Sequence, residues 1–403
     1  MPTLLQINVA SNKGSTGKIA ENIGLTALSN GWDSYIVHSK RYAGKTKLKD
    51  ISGCNSFSEF VHYIISLVFD AHGMASYFLT RKLIKKIEKI KPDIVHLHNI
   101  HGYYINFKLL FESLLKLDVP VVWTLHDCWP FTGHCVYFDR VNCQKWKVEC
   151  QHCPQCTSYP RALFDFSKRN FKLKMKVFNQ LDNLTIVPVS NWLSNLVSHS
   201  YLCDFPRKVI HNGIDLNLFK PTETNLRQRY NLVGKKIILG VADGFGARKG
   251  LDDFIKLSKL LSDEYQIVLI GVTSSDLSKI PGSILAIERT SDQLQLAEFY
   301  SIAEVYLNLT YEDNFPTTNI EALACGTPVI TYDTGGSIEA ISEDTGIIVQ
   351  KNDIKSLYDS VMYFSNIDRS TLREKCRRRA LDNYDMNLKF QEYMSLYSNL
   401  ISK

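Results

Sequence analysis

The sequence contains no long uninterrupted apolar run, no low-complexity tract and no repeat of the length found in solenoids. Its longest apolar stretch, residues 62–79, is interrupted by Asp70, His72 and Gly73, which makes it a poor candidate for a membrane span. Residues 3–10 have the pattern of a strand, without the charged leader or the cleavage site of a signal peptide. We therefore expect a cytoplasmic protein.

Charge is unevenly distributed along a chain whose overall composition is that of an ordinary globular protein. The 403 residues carry a net charge of +6, to which residues 1–185 contribute +10 and the remaining residues −4. A basic half predicts an anionic partner, and nucleic acid, an anionic lipid surface and a phosphorylated acceptor all meet that condition. The length predicts two or three domains.

Short apolar segments alternate with amphipathic ones almost throughout, which predicts α/β domains with parallel sheets covered by helices on both faces. Helix-like segments such as residues 17–30 and 79–90 separate the first strands. The first series of predicted strands is 4–10, 34–38, 94–98, 121–125 and 185–189. The second series is 209–211, 237–241, 266–270, 283–287, 305–309 and 327–332. Two successive series predict two doubly wound, Rossmann-like domains.

The boundary between the two predicted domains falls near residues 201–208, where a proline and mixed charges interrupt the periodicity. We expect an N-terminal domain over residues 1–203 and a C-terminal domain over residues 204–385. The final helix, within residues 386–403, has no strand after it, and we expect it to pack back on the first domain. Ligands of such folds bind at the carboxyl ends of the strands.

The segment 311–329 carries the most specific pattern in the chain. A predicted strand ends, a polar turn follows, and a helix begins near Pro316 or Thr317. The free N–H groups at a helix N-terminus attract an anion. Asp313 and Glu321 stand eight positions apart on either side of that point. Two carboxylates so spaced are suited to accept hydrogen bonds from sugar hydroxyls on both sides of a diphosphate.

This segment resembles the E-x7-E signature of retaining GT-B glycosyltransferases, and specifically of glycosyltransferase family 4. The resemblance implies two Rossmann-like domains facing each other across a cleft. It also implies that Asp313, where Glu is more usual, contacts the donor sugar, that Glu321 contacts the ribose, and that the helix N-terminus meets the phosphates. The substrate-binding residues implied in this segment are Asp313, Asn314, Phe315, Pro316, Thr317 and Glu321.

Other matches to the family extend over most of the chain. Asn212 lies in a His-Asn-Gly-Ile-Asp sequence that resembles the turn at the start of the second domain. Lys249 lies in an Arg-Lys-Gly sequence that resembles the family element whose lysine neutralises the donor diphosphate. Arg248 is the candidate for a second phosphate cation, because the Gly-Arg pair common in the family is Asp243-Gly244 here. Two residues stand where the family holds the nucleobase: Arg289 and Thr290.

In the first domain a glycine-containing loop follows the first strand and opens a helix. Its residues Gly14, Ser15, Thr16 and Gly17 form a loose phosphate loop, which the resemblance places against the diphosphate. His126 and Asp127 end a buried strand and resemble the family's His-Asp pair beside the acceptor. His126 would orient the sugar or the attacking hydroxyl, while Asp127 would fix its tautomer or transfer a proton. His96 and His98 are further candidates, and the predicted catalytic set is His126, Asp127 and Asp313.

Six of the ten cysteines lie between Cys128 and Cys156, in a Cys-rich insertion over residues 128–160. A Cys-x2-Cys pair with two outlying cysteines can close a tetrahedral zinc site. The predicted ligands of a structural zinc ion are Cys135, Cys143, Cys150 and Cys153, with Cys128 and Cys156 spare and His134 and His152 as substitutes. Unligated reduced thiols are the alternative. A Cys-rich insertion also resembles one found in polysaccharide-building members of the family.

The predicted function is that of a retaining glycosyltransferase in cell-surface polysaccharide biosynthesis, such as that of capsule or O-antigen. The chain lacks an Asp-x-Asp motif, and we expect no cofactor and no metal in catalysis. A sugar-nucleotide epimerase and a nicotinamide-dependent oxidoreductase remain alternatives, although Gly14-Ser15-Thr16-Gly17 lacks the spacing of a dinucleotide-binding loop. A zinc-containing nucleic-acid-binding protein is disfavoured because it leaves the second-domain motifs unexplained.

The expected partners are a nucleotide-sugar donor and a glycan or lipid-diphosphate-linked acceptor, with no nucleic acid. An apolar segment followed by basic residues predicts peripheral contact with an anionic membrane at its cytoplasmic face, although a solvated helix face explains the same pattern. The basic residues concerned are Arg81, Lys82, Lys85, Lys86, Lys89 and Lys91.

Overall fold

A computed structural model describes residues 1–402, which form two compact units. The N-terminal unit comprises Met1–His211 and the C-terminal residues from Asn387 onward, and the C-terminal unit comprises Asn212–Met386. The chain leaves the first unit eight residues later than the predicted position, after residue 211. The reason is that residues 206–210 remain hydrogen-bonded to the last strand of the first sheet, for example through Lys208 N to Ile186 O at 3.1 Å. The prediction that residues 209–211 form the first strand of the second sheet is wrong, because no strand lies between residues 188 and 236.

The N-terminal unit contains a six-stranded parallel sheet in the order β3-β2-β1-β4-β5-β6. Strands β1, β4, β5 and the edge strand β6 are almost entirely buried and mostly apolar, as expected of strands covered on both faces. The strands are Thr3–Ile7 (β1), Asp33–His38 (β2), Lys49–Ser52 (β3), Ile94–Leu97 (β4), Val121–Leu125 (β5) and Leu184–Pro188 (β6). The helices of this part are Gly14–Ser29 (α1), Ser56–Phe69 (α2), Tyr77–Ile90 (α3), Phe107–Leu117 (α4), Ser167–Phe178 (α5) and Asn191–Ser198 (α6).

The C-terminal unit repeats this architecture with the sheet order β12-β11-β10-β7-β8-β9, again all parallel. Its strands are Lys236–Val241 (β7), Tyr265–Ile270 (β8), Ile284–Ile287 (β9), Val305–Asn308 (β10), Val329–Tyr332 (β11) and Gly346–Val349 (β12). Its helices are Leu226–Arg229 (α7), Leu251–Ser258 (α8), Ser274–Leu277 (α9), Gln293–Ile302 (α10), Thr317–Ala324 (α11), Ile354–Ser365 (α12) and Arg369–Asn383 (α13). The two doubly wound sheets confirm the predicted fold class.

The final helix, Met386–Ile401 (α14), packs on the N-terminal unit through two fully or nearly buried tyrosines. The Tyr397 hydroxyl lies 2.6 Å from His96 Nδ1, and the Tyr393 hydroxyl lies 3.1 Å from Thr124 Oγ1. His96 Nε2 also contacts Thr124 Oγ1, at 2.7 Å. His96 is thus fully buried between the sheet and this helix, and it does not line a binding surface as we had expected.

No helix within residues 1–402 is long and apolar enough to cross a membrane. The apolar stretch 62–79 is divided between α2 and α3, because Asp70 ends α2 in a left-handed backbone conformation with φ of 49°. The Asp70 side chain is buried and bonded to His134 Nδ1 at 2.6 Å. Asp70, which interrupts the apolar stretch in the sequence, therefore marks the C-terminal end of α2.

In both sheets the strand order reverses at one place, between β1 and β4 in the first and between β7 and β10 in the second. The loops that leave the carboxyl ends of two such strands diverge to opposite faces of the sheet and open a crevice. These two switch points are the positions at which doubly wound folds bind ligands, and both carry residues predicted from the sequence.

Candidate functional site

The donor-side residues lie at the switch point of the C-terminal sheet. The loop after β7 carries Lys249 and the loop after β10 carries Asp313, and the two strands are neighbours. Lys249 Nζ donates a 2.7 Å hydrogen bond to Asp313 Oδ2, with the two side chains 18% and 17% exposed. The structure thus joins two predicted site residues that are 64 positions apart in sequence. A paired cation and anion at a crevice can bind phosphate and hydroxyl groups together.

The loop after β7 that carries Lys249, called the lysine loop below, is held rigidly at both ends. Gly250 has a φ of +71°, and a Cβ at this position would lie 2.3 Å from Leu309 O, so only glycine fits. The Asp276 carboxylate accepts hydrogen bonds from the N–H groups of Phe245 and Gly246 at 3.0 and 3.2 Å. Burial alone would raise the pKa of Asp276. The hydrogen bonds that its carboxylate accepts from Thr273, Phe245 and Gly246 outweigh burial and lower the pKa to about 2.

The acidic loop before α11 is held from two directions. Arg248 Nη1 donates to Glu312 O at 3.0 Å, and Asn212 Nδ2 donates to Phe315 O at 3.1 Å. Arg248 and Asn212 therefore shape the loop through its backbone carbonyl groups, a role that the sequence did not indicate. The backbone N–H of Asn314 donates to Asp313 Oδ1 at 3.0 Å and so orients the carboxylate that pairs with Lys249.

Helix α11 begins at Thr317, as predicted, with Pro316 at the cap position. No side chain caps this helix and its first turn contains no acidic residue, so the terminus keeps its affinity for an anion. Glu321 follows one turn later, where its Oε2 accepts a 3.2 Å hydrogen bond from the Tyr300 hydroxyl. The structure thus brings Lys249, Asp313 and the start of α11 to one place, with Glu321 on the same helix.

The predicted nucleobase contacts lie farther along the same sheet. Arg289 is exposed and Thr290 is half-buried, and both follow the edge strand β9. Since β9 is separated from β7 by β8, these two residues belong to the outer part of the carboxyl edge.

The glycine loop of the N-terminal unit opens α1 at its switch point. Helix α1 begins at Gly14, with φ of +66°, and has neither a side-chain cap nor an acidic first turn. Ser15 is exposed and Thr16 is half-buried beside it. Gly17 packs closely on the chain before it, because a Cβ there would lie 3.1 Å from Ala10 Cβ. The first turn of α1 therefore has backbone N–H groups without a side-chain cap, and the binding of phosphate by this loop stays a prediction.

A chain of hydrogen bonds fixes the tautomer of His126. Gln6 Nε2 donates to Ala20 O at 2.9 Å, which leaves Gln6 Oε1 as the acceptor for His98 Nε2 at 3.1 Å. His98 Nδ1 is therefore unprotonated and accepts from His126 Nε2 at 3.1 Å. His126 Nδ1 is then the basic nitrogen of the ring. Burial lowers the pKa of His126 to about 4, so the ring is neutral at physiological pH.

Asp127 does not fix the tautomer of His126, which is one of the two roles predicted for it; the other, proton transfer, stays a prediction. It pairs instead with His101, whose Nε2 donates to Asp127 Oδ2 at 2.8 Å, while Asp127 Oδ1 accepts from Trp129 N at 2.9 Å. Burial raises the pKa of Asp127, but the charge and hydrogen bond of His101 and the backbone N–H of Trp129 outweigh it and the pKa is lowered. The carboxylate is therefore ionised and orients the His101 ring.

His101 was missed in the sequence, and Tyr159 with it. His101 Nδ1 lies 3.4 Å from the Tyr159 hydroxyl, which comes from the Cys-rich insertion 58 residues away. His72 packs against both rings, accepts from Gly102 N at 3.1 Å through its Nε2, and has a buried Nδ1 without a hydrogen-bond partner among residues 1–402. The position of His101, four residues after β4 in a loop at a switch point, was the available signal. Nothing in the sequence linked Tyr159 to it.

The four predicted metal ligands line one small cavity of about 20 Å³, together with His134 and Trp146. As they stand, however, no three His, Cys, Asp or Glu side chains within residues 1–402 are arranged to hold a metal ion. The free thiols thus do not form the predicted ligand shell. They only line the same cavity: Cys135, Cys143, Cys150 and Cys153.

Two family models match the chain. "Glycosyltransferase Family 4" matches residues 29–218, and "Glycosyl transferases group 1" matches residues 222–382. The fold and these matches define a glycosyltransferase of the GT-B type. The chain belongs to the group 1 and family 4 glycosyltransferases, its N-terminal part corresponding to the second model and its C-terminal part to the first.

Individual relatives agree with this assignment. The chain is 23% identical over 421 aligned positions to the "Putative colanic acid biosynthesis glycosyl transferase WcaC" of Escherichia coli K12, covering 98% of this chain and all of that protein. It is 25% identical to the "Capsular polysaccharide biosynthesis glycosyltransferase CapM" of Staphylococcus aureus, over 48% of this chain and 54% of CapM. It is 26% identical to a diacetylbacillosaminyl-diphospho-undecaprenol N-acetylgalactosaminyltransferase of Campylobacter jejuni, over 47% and 53%.

Solved structures share the fold at low identity. Sucrose-phosphate synthase of Thermosynechococcus elongatus superposes with a TM-score of 0.70 at 17% identity, with both chains fully covered. Anabaena HepE in complex with UDP superposes with a TM-score of 0.69 at 12% identity, over 99% of this chain and all of HepE. At such identities these structures establish the GT-B architecture alone.

Proposed function

We propose that this glycosyltransferase moves a sugar from a nucleotide diphosphate to a glycan or lipid-diphosphate-linked acceptor during cell-surface polysaccharide biosynthesis. The observation that carries the donor assignment is the Lys249–Asp313 pair at the start of α11. A diphosphate needs positive potential and N–H donors, and a sugar needs hydroxyl acceptors. This corner of the C-terminal unit supplies both kinds of group within two adjacent loops.

In this proposal Lys249 and the N-terminus of α11 stabilise the charge that develops on the departing nucleoside diphosphate. Fixed donors aimed at a developing charge commonly contribute the largest catalytic term. Asp313 holds Lys249 in place and accepts a hydrogen bond from a sugar hydroxyl. Glu321, already oriented by Tyr300, accepts hydrogen bonds from the ribose hydroxyls. Since a lysine and backbone N–H groups carry out this charge stabilisation, the proposed reaction needs no divalent metal.

Retention of anomeric configuration is proposed from the family resemblance. Asp313 is engaged with Lys249 and Glu321 with Tyr300, which suits binding groups better than the nucleophile and acid of a retaining glycosidase. We therefore propose attack of the acceptor hydroxyl on the same face as the leaving diphosphate, with a phosphate oxygen receiving the proton.

On the N-terminal unit, His126 and His101 are the proposed acceptor-side groups. His126 Nδ1 is the basic ring nitrogen because Gln6 and His98 fix the other tautomeric position. The His101 ring is oriented by the ionised Asp127 carboxylate. In this proposal the two oriented rings face the acceptor sugar, and the N–H groups of the Gly14–Gly17 loop bind phosphate oxygens.

A lipid-linked acceptor is supported by an exposed apolar surface on α2 and α3, followed by a basic helix face. Exposed side chains on this surface include Phe57, Phe60, Phe69 and Phe78, of which Phe57 and Phe78 are 77% and 79% exposed. The basic residues of α3 adjoin it, as expected of a protein that lies on an anionic membrane. The names of the relatives, in colanic acid, capsule and undecaprenol-linked glycan assembly, agree with such an acceptor.

The test is thermal-shift binding of UDP-, GDP- and ADP-sugars and NAD(H) to the wild type, Lys249→Ala and the matched control Lys259→Ala, an exposed lysine of the same unit. We expect saturable stabilisation by one sugar nucleotide, retained in Lys259→Ala and lost in Lys249→Ala. A response to NAD(H) alone, or no response to any sugar nucleotide, would contradict the transferase proposal.

A further inference from the structure

The Cys-rich segment folds with very little regular structure. Between Thr132 and Cys156 it contains only two single-turn 3₁₀ helices, Asp139–Val141 and Lys145–Lys147. Its apolar content is a small cluster in which Phe138 stacks on Trp146 with ring centroids 5.0 Å apart. A loop of this length with so small a core needs an additional cross-link to keep one conformation.

Four cysteines of this segment line one cavity. They are Cys135, Cys143, Cys150 and Cys153, and the cavity has a volume of about 20 Å³. The cavity is of the size that a single small ion or water molecule occupies. Thus the backbone already brings four soft ligands around a space of atomic dimensions.

A backbone N–H group is directed at one of these sulfur atoms. Gly133 N donates to Cys150 Sγ at 3.2 Å. Such an N–H···S hydrogen bond fixes the direction of the sulfur lone pairs, as the outer-shell partners of a metal ligand do.

A buried nitrogen in the same cavity has no partner. His134 lines the cavity and is 3% exposed. Its Nδ1 is held by Asp70 Oδ1 at 2.6 Å, and its Nε2 is buried without a hydrogen bond to any residue within 1–402. Buried polar atoms are nearly always satisfied in native proteins. The orphaned Nε2 is a second, independent indication that a polar or charged ligand belongs in this cavity.

We propose that Cys135, Cys143, Cys150 and Cys153 bind one structural Zn²⁺ ion. Four thiolates favour zinc among the abundant divalent ions and close a tetrahedral shell with Zn–S distances of about 2.3 Å. The side chains must turn about χ1 toward the cavity, since as free thiols they do not form a ligand shell. Cys156 is excluded because its thiol donates to Ala162 O at 3.7 Å, and neither it nor Cys128 lines the cavity.

The ion would fix the insertion that places Tyr159 beside His101. Its role is structural, because four protein ligands leave no open coordination position for substrate. The proposal does not depend on the donor or acceptor assigned above, since metal content and coordination are measured without any transfer reaction.

The experiment is elemental analysis of the full chain, purified under reducing conditions without chelators. We expect about one zinc ion per chain in the wild type and in the controls Cys203→Ser, an exposed cysteine, and Cys156→Ser. We expect Cys143→Ser and Cys150→Ser to lose most of it. Retention of stoichiometric zinc by Cys150→Ser, or a wild type that remains metal-free after refolding with Zn²⁺, would overturn the proposal.

Cobalt substitution covers the case in which a ligand variant fails to fold. Co²⁺ added to the metal-free wild-type chain is expected to give the visible absorption and sulfur charge-transfer bands of a tetrahedral thiolate centre, and absence of those bands would overturn the site. His134→Gln is expected to retain zinc. If it loses zinc while Cys143→Ser retains it, the four-cysteine shell is overturned in favour of one that contains His134.

Discussion

His101 Nε2 donates a 2.8 Å hydrogen bond to Asp127 Oδ2, and so the loop after β4 is tied to the end of β5 by a buried histidine and a buried carboxylate. The side chains are 8% and 9% exposed. Asp127 is next to His126 in sequence, yet the latter ring is oriented by His98 instead. Two oriented imidazoles with different partners therefore lie on neighbouring loops of the N-terminal unit.

We predict that His101→Gln and Asp127→Asn reduce turnover about 10²- to 10⁴-fold, the usual contribution of a positioned acid–base group. Asn at position 127 keeps the shape of the side chain but no longer provides the ionised acceptor for the His101 N–H. Steady-state kinetics with separated kcat and KM for donor and acceptor provide the measurement. The matched control is His199→Gln, an exposed histidine on the same unit, for which unchanged kinetics are expected.

The pH profile of kcat distinguishes a role of the His101–Asp127 pair at the acceptor from a purely structural one. If His101 touches the acceptor, the pH profile of kcat should change in both variants. Should the two variants alter only thermal stability while kcat and its pH profile stay the same, the pair is a structural cross-link and the acceptor-side assignment is wrong.

The lysine loop provides a prediction about stability. Gly250→Ala should lower the free energy of unfolding by about 1–3 kcal/mol or more, because the backbone is left-handed and the added Cβ meets Leu309 O. Thermal unfolding of the purified chain measures it. Gly282→Ala is the control: no atom lies within 4 Å of its Cβ position, and its φ is not in the left-handed region. Equal unfolding temperatures in the two variants would contradict the strained-turn interpretation.

Several buried imidazoles predict acid sensitivity of the N-terminal unit. Burial lowers the pKa of His126 to about 4 and that of His62 to about 3, and it holds the pKa of His72, His96 and His98 well below 6.5. Below pH 6.5 the unfolded chain takes up protons that the folded chain does not. Stability is therefore complete above about pH 6.5 and is lost as the pH falls toward 4.

Each such imidazole costs up to about 1.4 kcal/mol of stability per pH unit within that window. Calorimetric unfolding temperatures at pH 7, 6 and 5 test this, and His126→Gln should show a shallower decline than the wild type. His199→Gln, which removes an exposed ring, should follow the wild type. A wild-type unfolding temperature that stays constant down to pH 5 would show that these rings are not buried in the neutral form.

Membrane association is predicted to depend on the exposed aromatic side chains of α2. The double variant Phe57→Ser/Phe60→Ser should reduce binding to vesicles containing anionic lipid by about 30-fold or more, since each aromatic side chain inserted at the interface contributes about 1–3 kcal/mol. Vesicle flotation with and without anionic lipid is the measurement. Val233→Ser/Leu260→Ser, which removes two exposed apolar side chains of the C-terminal unit, is the matched control. Equal recovery of all proteins in the unbound fraction would contradict the membrane proposal.

The alternation of apolar strands and amphipathic helices was sufficient to predict both sheets. Val121–Leu125 lies within the predicted bounds to the residue, because a strand buried on both faces reads as a continuous apolar run. The strands that were missed, β3 and β12, lie at sheet edges, where one side is open and the apolar signal is short. The helix at Thr317 was predicted from proline and threonine start signals, which act within a few residues.

The sequence by itself determined the properties that depend on near neighbours along the chain: the two βα series, the start of α11 and the family motifs. Only the tertiary structure decided which side chains are partners. In the folded chain Lys249 pairs with Asp313, and Asp127 accepts a hydrogen bond from His101. Tyr159 lies beside the His101 ring, and His96 is buried under α14. These contacts join residues from 26 to 301 positions apart. Local periodicity cannot encode them, because they form only when the sheets and the final helix have packed and bring distant parts of the chain together.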